Sequence, residues 1–326
     1  MLVSANAFTA LQSLRSQGYL GGANQYLWID TICINQADAV EKTHQIRMMK
    51  RIYEEAQNVV AWLGETSTED VQAIELLRKF FIVQNTSSSL QSDIERIRST
   101  YFLDGETLRA LGLPTSDDII WEHVNNFLKK PWFSRVWVVQ EYLSSTNFVF
   151  LCGDIEVEPQ VIFQPIFAMT SKKYFIATSP GWGKRASTFL QVRNLWCLKM
   201  QRYSDEHLSL IDYLQACMFY EASDPRDKIF ALAALSSDFN PVVTNYALPL
   251  EQVLINAAKE LLTSETGHTN FLCFSRMMEH DVEVPSWVPV WSSRLITLPK
   301  AEDGSIRAPP SLSSRSTGQF EVDSTN

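Results

Sequence analysis

The chain has 326 residues and a mass of 37.2 kDa, with 45% hydrophobic and 20% charged residues. This composition excludes a disordered polyelectrolyte and supplies apolar mass for a sizeable core. Lys and Arg number 28 against 37 Asp and Glu, a net charge of −9, which argues against a dominant non-specific grip on nucleic acid or anionic lipid.

In chain order, Ser4–Ser16 carries Phe8, Leu11 and Leu14 at helical spacing, and Gly21-Gly22 ends that segment. Tyr26-Leu27-Trp28-Ile29 is aromatic and branched, the composition of a short buried strand. Asp38 with Glu41 three positions on reads as a capping box, opening a helix to about Gln57 with Ile46, Met49, Tyr53 and Ala56 on one face. Val59–Leu63 is a second strand ended by Gly64, so the region predicts a strand–helix–strand unit of a parallel sheet. Residues 67–83 predict an amphipathic helix, 84–116 a polar surface insertion, and 117–129 a further helix. Pro131 fits the first turn of a helix running from Trp132 to about Leu143. Phe148–Cys152 and Ile155–Val157, joined by Gly153-Asp154, predict a hairpin. The second half predicts helices at about 159–170, 186–202, 207–220, 225–235 and 250–262. Within it, Asp224-Pro225-Arg226-Asp227 is a helix start, with a capping Asp, Pro at N1 and an acid in the first turn. Residues 299–326, rich in Pro, Ser, Thr and Gly, predict a disordered tail.

Several kinds of chemistry lack their signatures. Met1–Gly18 has neither the basic start nor the apolar block of a secretory signal, and the apolar run Ile229–Leu235 stops at seven, far short of the roughly 18 residues of a membrane span. The five Cys (Cys33, Cys152, Cys197, Cys217, Cys273) are scattered and odd in number, which fits a reducing compartment. The expectation is a cytoplasmic chain with no membrane span and no nucleic-acid partner. There is no phosphate-binding loop, no metal-ligand spacing and no G-x-S-x-G elbow. Gly181-x-Gly183-x-x-Ala186 is only a fragment of a dinucleotide fingerprint, because the region about twenty residues on reads as helix.

Three clusters remain. Asp30 falls at the carboxyl end of the predicted first strand, where ligands bind in open α/β sheets, with Cys33, Asn35 and Gln36 in the following loop. Hydrogen bonds to turn backbone are the alternative for Asp30 and Asn35. In the second cluster, Ser134, Trp137 and Glu141 share a helix face, whereas Arg135 lies about 240° from Glu141 and cannot pair with it on a continuous helix. A carboxyl beside an indole suits a general acid with a raised pKa; a buried ion pair joining two layers is the alternative. Asp224-Pro225-Arg226-Asp227-Lys228, the third, suits a charged ligand or a cap with an Arg clamp.

These clusters carry a family resemblance. Leu27-Trp28-Ile29-Asp30-x-x-Cys33-Ile34-Asn35-Gln36, then Glu41, Gln45, Met48, Ile52-Tyr53 and Trp62-Leu63-Gly64, resemble the fungal heterokaryon-incompatibility (HET) domain. So do Trp132-Phe133-x-Arg135-x-Trp137-x-x-Gln140-Glu141 and Cys152-Gly153. Asp224–Leu232 and Pro285-Ser286-Trp287-Val288-Pro289 are similar to stretches that follow in such proteins. The family's usual opening strand, of the type Y-x-A-L-S-Y-x-W-G, has no counterpart in the given sequence; a sheet lacking it would have an exposed edge or lose a central member.

The resemblance implies an α/β fold: a TIR-like, flavodoxin-like parallel-sheet core with helical insertions at 1–165, a mainly helical continuation at 166–298 and the tail at 299–326. It implies a cytoplasmic allorecognition effector promoting programmed cell death through protein partners and self-association. Two alternatives are a TIR-like enzyme cleaving NAD or a related nucleotide, with no resident cofactor, and a scaffold repurposed for a secondary-metabolite or regulatory setting. By analogy with TIR enzymes, Glu141 or Glu41 is the candidate catalytic residue. Asp30, Cys33, Asn35, Gln36, Arg135, Gln140, Asp224, Arg226 and Asp227 are the candidate binding residues. No metal is expected.

Overall fold

The computed structural model describes residues 4–20, 22, 25–85, 108–109, 111–115, 118–171, 182–204, 207–238, 244–263, 272 and 282–291. The tail at 299–326, the strand-like 174–176, Gly181, Cys273 and most of the 84–116 insertion lie outside these residues. The fold is mixed α/β and mostly helical, around a three-stranded sheet.

Local signals set the first elements. The Ser4 side chain accepts from the Ala7 amide and opens α1 (Ala5–Ser16). Asp38 accepts from the amides of Val40 and Glu41 and opens α3 (Ala39–Glu55), which buries Ile46 and Met49. The reciprocal arm of a capping box is redirected, since the Glu41 carboxylate takes the Asn35 amide at 3.0 Å. Strand β1 (Val59–Trp62) leads into Gly64, whose φ of +92° favours glycine. After α4 (Thr68–Asn85) and α5 (Ile120–Leu128), the chain reaches a short 3-10 turn at Pro131–Phe133, then α6 (Trp137–Ser144).

Strand β2 (Phe148–Cys152) lies between β1 and β3 (Ile155–Val157). It runs parallel to β1, from Val59 opposite Phe148 to Trp62 opposite Leu151, and antiparallel to β3 through the turn at Gly153. Helices α7 (Pro159–Ser171), α8 (Trp182–Tyr203), α9 (Leu210–Ala216), α10 (Asp227–Ala233) and α11 (Leu250–Thr263) follow among the described residues. Gly183 and Ala186 fall inside α8 and not in a nucleotide-cradling turn. The core is one continuous apolar cluster running from Ile46 to Trp291, rich in aromatic pairs such as Trp132–Phe150 and Tyr142–Phe163.

Two expectations are corrected. Tyr26–Ile29 has no strand partner among the described residues, although Ile29 itself is extended, and Tyr26 is 94% exposed. Aromatic and branched side chains favour extended backbone, but a strand also needs a neighbour. The Ile29 carbonyl accepts from the amides of Ile32 and Cys33, turning the chain at once into the single-turn helix α2 (Asp30–Cys33). Asp30 therefore opens a helical turn; it does not end a strand. The parallel neighbour of β1 is β2, so the predicted strand–helix–strand unit at 26–63 does not form.

The predicted helix from Trp132 to Leu143 is also divided. The Glu221 amide donates to the Ser134 carbonyl at 2.6 Å, and the Glu221 carbonyl accepts from Val136 at 2.8 Å. This two-bond bridge diverts the backbone at 134–136, so a regular helix begins only at Trp137. Among the described residues, no helix is long and apolar enough to cross a membrane.

Candidate functional site

Helices α3 and α6 pack together and bring the first two clusters to one place. Trp132, buried among Phe133, Phe148 and Phe150, has an indole N–H that needs an acceptor. It donates to the Glu141 carboxylate at 3.0 Å. Because the backbone is diverted at 134–136, the helical-wheel separation of Arg135 and Glu141 does not apply, and the Arg135 charge acts on Glu141. The Arg135 guanidinium also lies 3.8 Å from the Asp30 carboxylate, half-exposed at the mouth of the cluster. Tyr53 reaches in from α3, with Trp28 edge-on against its ring at 5.8 Å.

The electrostatics follow from this geometry. Desolvation pushes the Glu141 carboxyl above the usual range; Arg135 and the Trp132 indole oppose the shift and Asp30 adds to it. Desolvation also holds the Tyr53 hydroxyl well above its ordinary value, reinforced by Glu141 and Asp30 and opposed by Arg135. The cluster thus combines a carboxyl biased toward its protonated form, a half-exposed guanidinium, a second carboxylate and a phenol. Such a set can donate a proton and grip a polar or anionic group.

Other residues of the first cluster do turn work. The Asp30 carboxylate accepts from the Thr31 amide at 2.6 Å, Asn35 Oδ1 from the Ala37 amide at 3.2 Å, and Gln36 Nε2 donates to the Asp30 carbonyl at 3.4 Å. Cys33 is exposed. Glu41 stays with the Asn35 turn. Gln140 is fully buried on α6, and neither of its amide atoms has a hydrogen-bond partner among the described residues.

The third cluster forms a clamp beside the first two. Arg226 is bidentate on Asp224, with 2.9 Å and 2.7 Å bonds, and donates to the carbonyls of Tyr246 and Leu248. Burial pushes the Asp224 carboxyl upward, but the bonds and charge of Arg226, with Lys42, hold it below the usual range. Asp224 Oδ1 accepts from the Arg226 amide, and α10 begins at Asp227, two residues beyond the predicted start at Pro225. The buried Asp227 carboxylate accepts from the Trp137 indole at 3.0 Å and from the Tyr246 hydroxyl. Desolvation raises its pKa; the two hydrogen bonds and Lys42 oppose this, and Asp224 adds to it.

Trp132, Trp137 and Tyr246, not singled out as site residues from the sequence, anchor these carboxylates. The sequence signal available for the two tryptophans was their place inside the motif, each with an indole N–H needing an acceptor. Lys42 stands 4.0 Å over the Tyr246 ring, tying α3 to the same clamp. The sequence likewise gave no sign of Lys199, whose buried ammonium donates to the carbonyls of Tyr142, Leu143 and Ser145 and so caps α6.

Comparison with known proteins follows the same residues. Residues 1–141 match the family model described as heterokaryon incompatibility protein (HET). The chain is 24% identical over 310 residues to heterokaryon incompatibility protein 6, OR allele, of Neurospora crassa, covering 82% of this chain and 45% of that protein. It thus spans less than half the length of that relative. No solved structure matches. The matched stretch contains Asp30, Tyr53, Arg135 and Glu141, so the residues gathered at the cluster lie where the chain is similar to heterokaryon incompatibility (HET) proteins.

Proposed function

We propose that the chain is a cytoplasmic effector of fungal heterokaryon incompatibility, promoting cell death through protein partners and self-association, with the Asp30–Arg135–Glu141–Tyr53 cluster as its functional site. The observation that supports this reading is the convergence of motif residues up to 111 positions apart onto one half-exposed cluster within the family-matched segment. Polar groups gathered at a desolvated site cost stability, which a purely structural role would not require. The test is induced expression in a compatible fungal host. Wild-type chain arrests growth, whereas Asp30→Ala and Glu141→Gln, accumulating to the same level, do not. Normal growth with wild type, or equal arrest with both variants, would overturn the proposal.

A second reading, cleavage of NAD or a related nucleotide, is favoured by one observation: the desolvated Glu141 carboxyl lies beside Arg135 and Asp30. In this reading the glutamate stabilises a ribosyl cation. The accompanying TIR-like fold rests on the parallel pair of β1 and β2 and on the family resemblance. Nicotinamide release by purified chain, lost in Glu141→Gln, is its expected outcome; no release by wild type would sink it.

A further inference from the structure

The family-matched segment ends at Glu141, but the helix carrying that residue is fixed from outside the segment. The Glu221 backbone pins Ser134 and Val136 on either side of Arg135. The turn leading to Glu221 is itself held by the buried Lys228 ammonium, which donates to the carbonyls of Met218 and Tyr220. One residue earlier on α10, the Asp227 carboxylate takes the Trp137 indole N–H, fixing the first residue of α6. The same carboxylate takes the Tyr246 hydroxyl. Tyr246 is in turn tied to α3, because its amide donates to Thr43 Oγ1 at 3.1 Å and Lys42 stands over its ring. Nearby, Arg47 donates to the Thr244 carbonyl at 2.6 Å.

The stretches 218–238 and 244–248 therefore brace the two helices that face each other with Tyr53 and Glu141. Asp227 is the junction where its two arms meet, with Asp224, Arg226 and Lys42 around it. We infer that Asp227 is a positioning residue, acting through Trp137 to set the helix that presents Arg135 and Glu141. This inference rests on the reading of that cluster as the functional site. A buried carboxylate with two donors has one favourable placement, so the groups bonded to it inherit that placement.

Indole N–H resonances of nitrogen-labelled chain test this, with Trp132 and Trp137 assigned from Trp132→Phe and Trp137→Phe. The Trp132 signal titrates with Glu141, and the Trp137 signal reports the bond to Asp227. In Asp227→Asn both signals move, and the Trp132 midpoint falls toward the ordinary carboxylate range by about half a pH unit or more, because a loosened Glu141 regains water. Tyr246→Phe, which deletes one donor and keeps the charge, moves the Trp132 midpoint the same way by less; it also serves if Asp227→Asn does not fold. A Trp132 midpoint unchanged while the Trp137 signal shifts would overturn the inference. If the midpoint falls in Asp227→Asn and growth arrest persists, the positioning role stands and the functional reading of the cluster fails.

Discussion

The Trp137 indole donates to the Asp227 carboxylate at 3.0 Å across 90 positions of sequence, joining the family-matched segment to the half of the chain beyond it. The half-exposed ion pair of Arg135 with Asp30 sits at the other end of the same arrangement. Glu141 shares the charges of that pair, and burial raises its pKa more than Asp30 does, against the opposing pull of Arg135.

Glu141→Gln changes the pH dependence of stability. A carboxyl that binds its proton more tightly folded than unfolded stabilises the fold at low pH, and this contribution is lost as pH rises through its folded value. Glu141 and Asp227 act in this direction, and Asp224 in the opposite one. Thermal melts run upward in pH from the ordinary carboxylate range will show stability declining less with rising pH in Glu141→Gln than in wild type.

Gln140→Met raises stability. Gln140 is fully buried with neither amide atom bonded to any described residue, and a stranded polar group costs about 1–3 kcal/mol. Methionine keeps the length without the amide. Denaturant unfolding checks this: a lower midpoint than wild type would show that the amide is satisfied in solution.

Lys199→Met lowers stability by about 1–3 kcal/mol, because three carbonyls at the end of α6 lose their donor. Burial pulls the Lys199 pKa down to about 8, so methionine also removes a desolvated charge. Three stranded acceptors outweigh that relief. The same unfolding assay measures the difference.

Gly153→Ala destabilises the β2–β3 hairpin. Its φ is +55°, and a Cβ there would collide with Thr66 Oγ1 and stand 3.1 Å from the Thr66 amide nitrogen. Thr66 is not free to retreat, since its hydroxyl bonds to the Cys152 carbonyl. A loss of about 1–3 kcal/mol is expected, read as a lower melting temperature.

What was legible in the sequence was what neighbours in the chain decide. Ser4 and Asp38 cap their own helices, and Gly153 turns its own hairpin, so those elements stand where the pattern puts them. Tyr26–Ile29 has strand composition, but pairing depends on a distant partner that local pattern does not reveal. The break before α6 is imposed by Glu221, far along the chain, and it made the helical-wheel separation of Arg135 and Glu141 misleading. Asp30, Arg135 and Glu141 were recognisable as motif residues, whereas their grouping with Tyr53 came only from the packing of α3 on α6.

The most direct measurement compares growth of a fungal host expressing wild type, Arg135→Ala or Arg51→Ala at matched protein levels. Arg51 is an exposed charge on α3, paired with Glu55 away from the cluster. The account predicts that Arg51→Ala arrests growth as wild type does and that Arg135→Ala grows normally. Arrest by Arg135→Ala equal to that of wild type would contradict it.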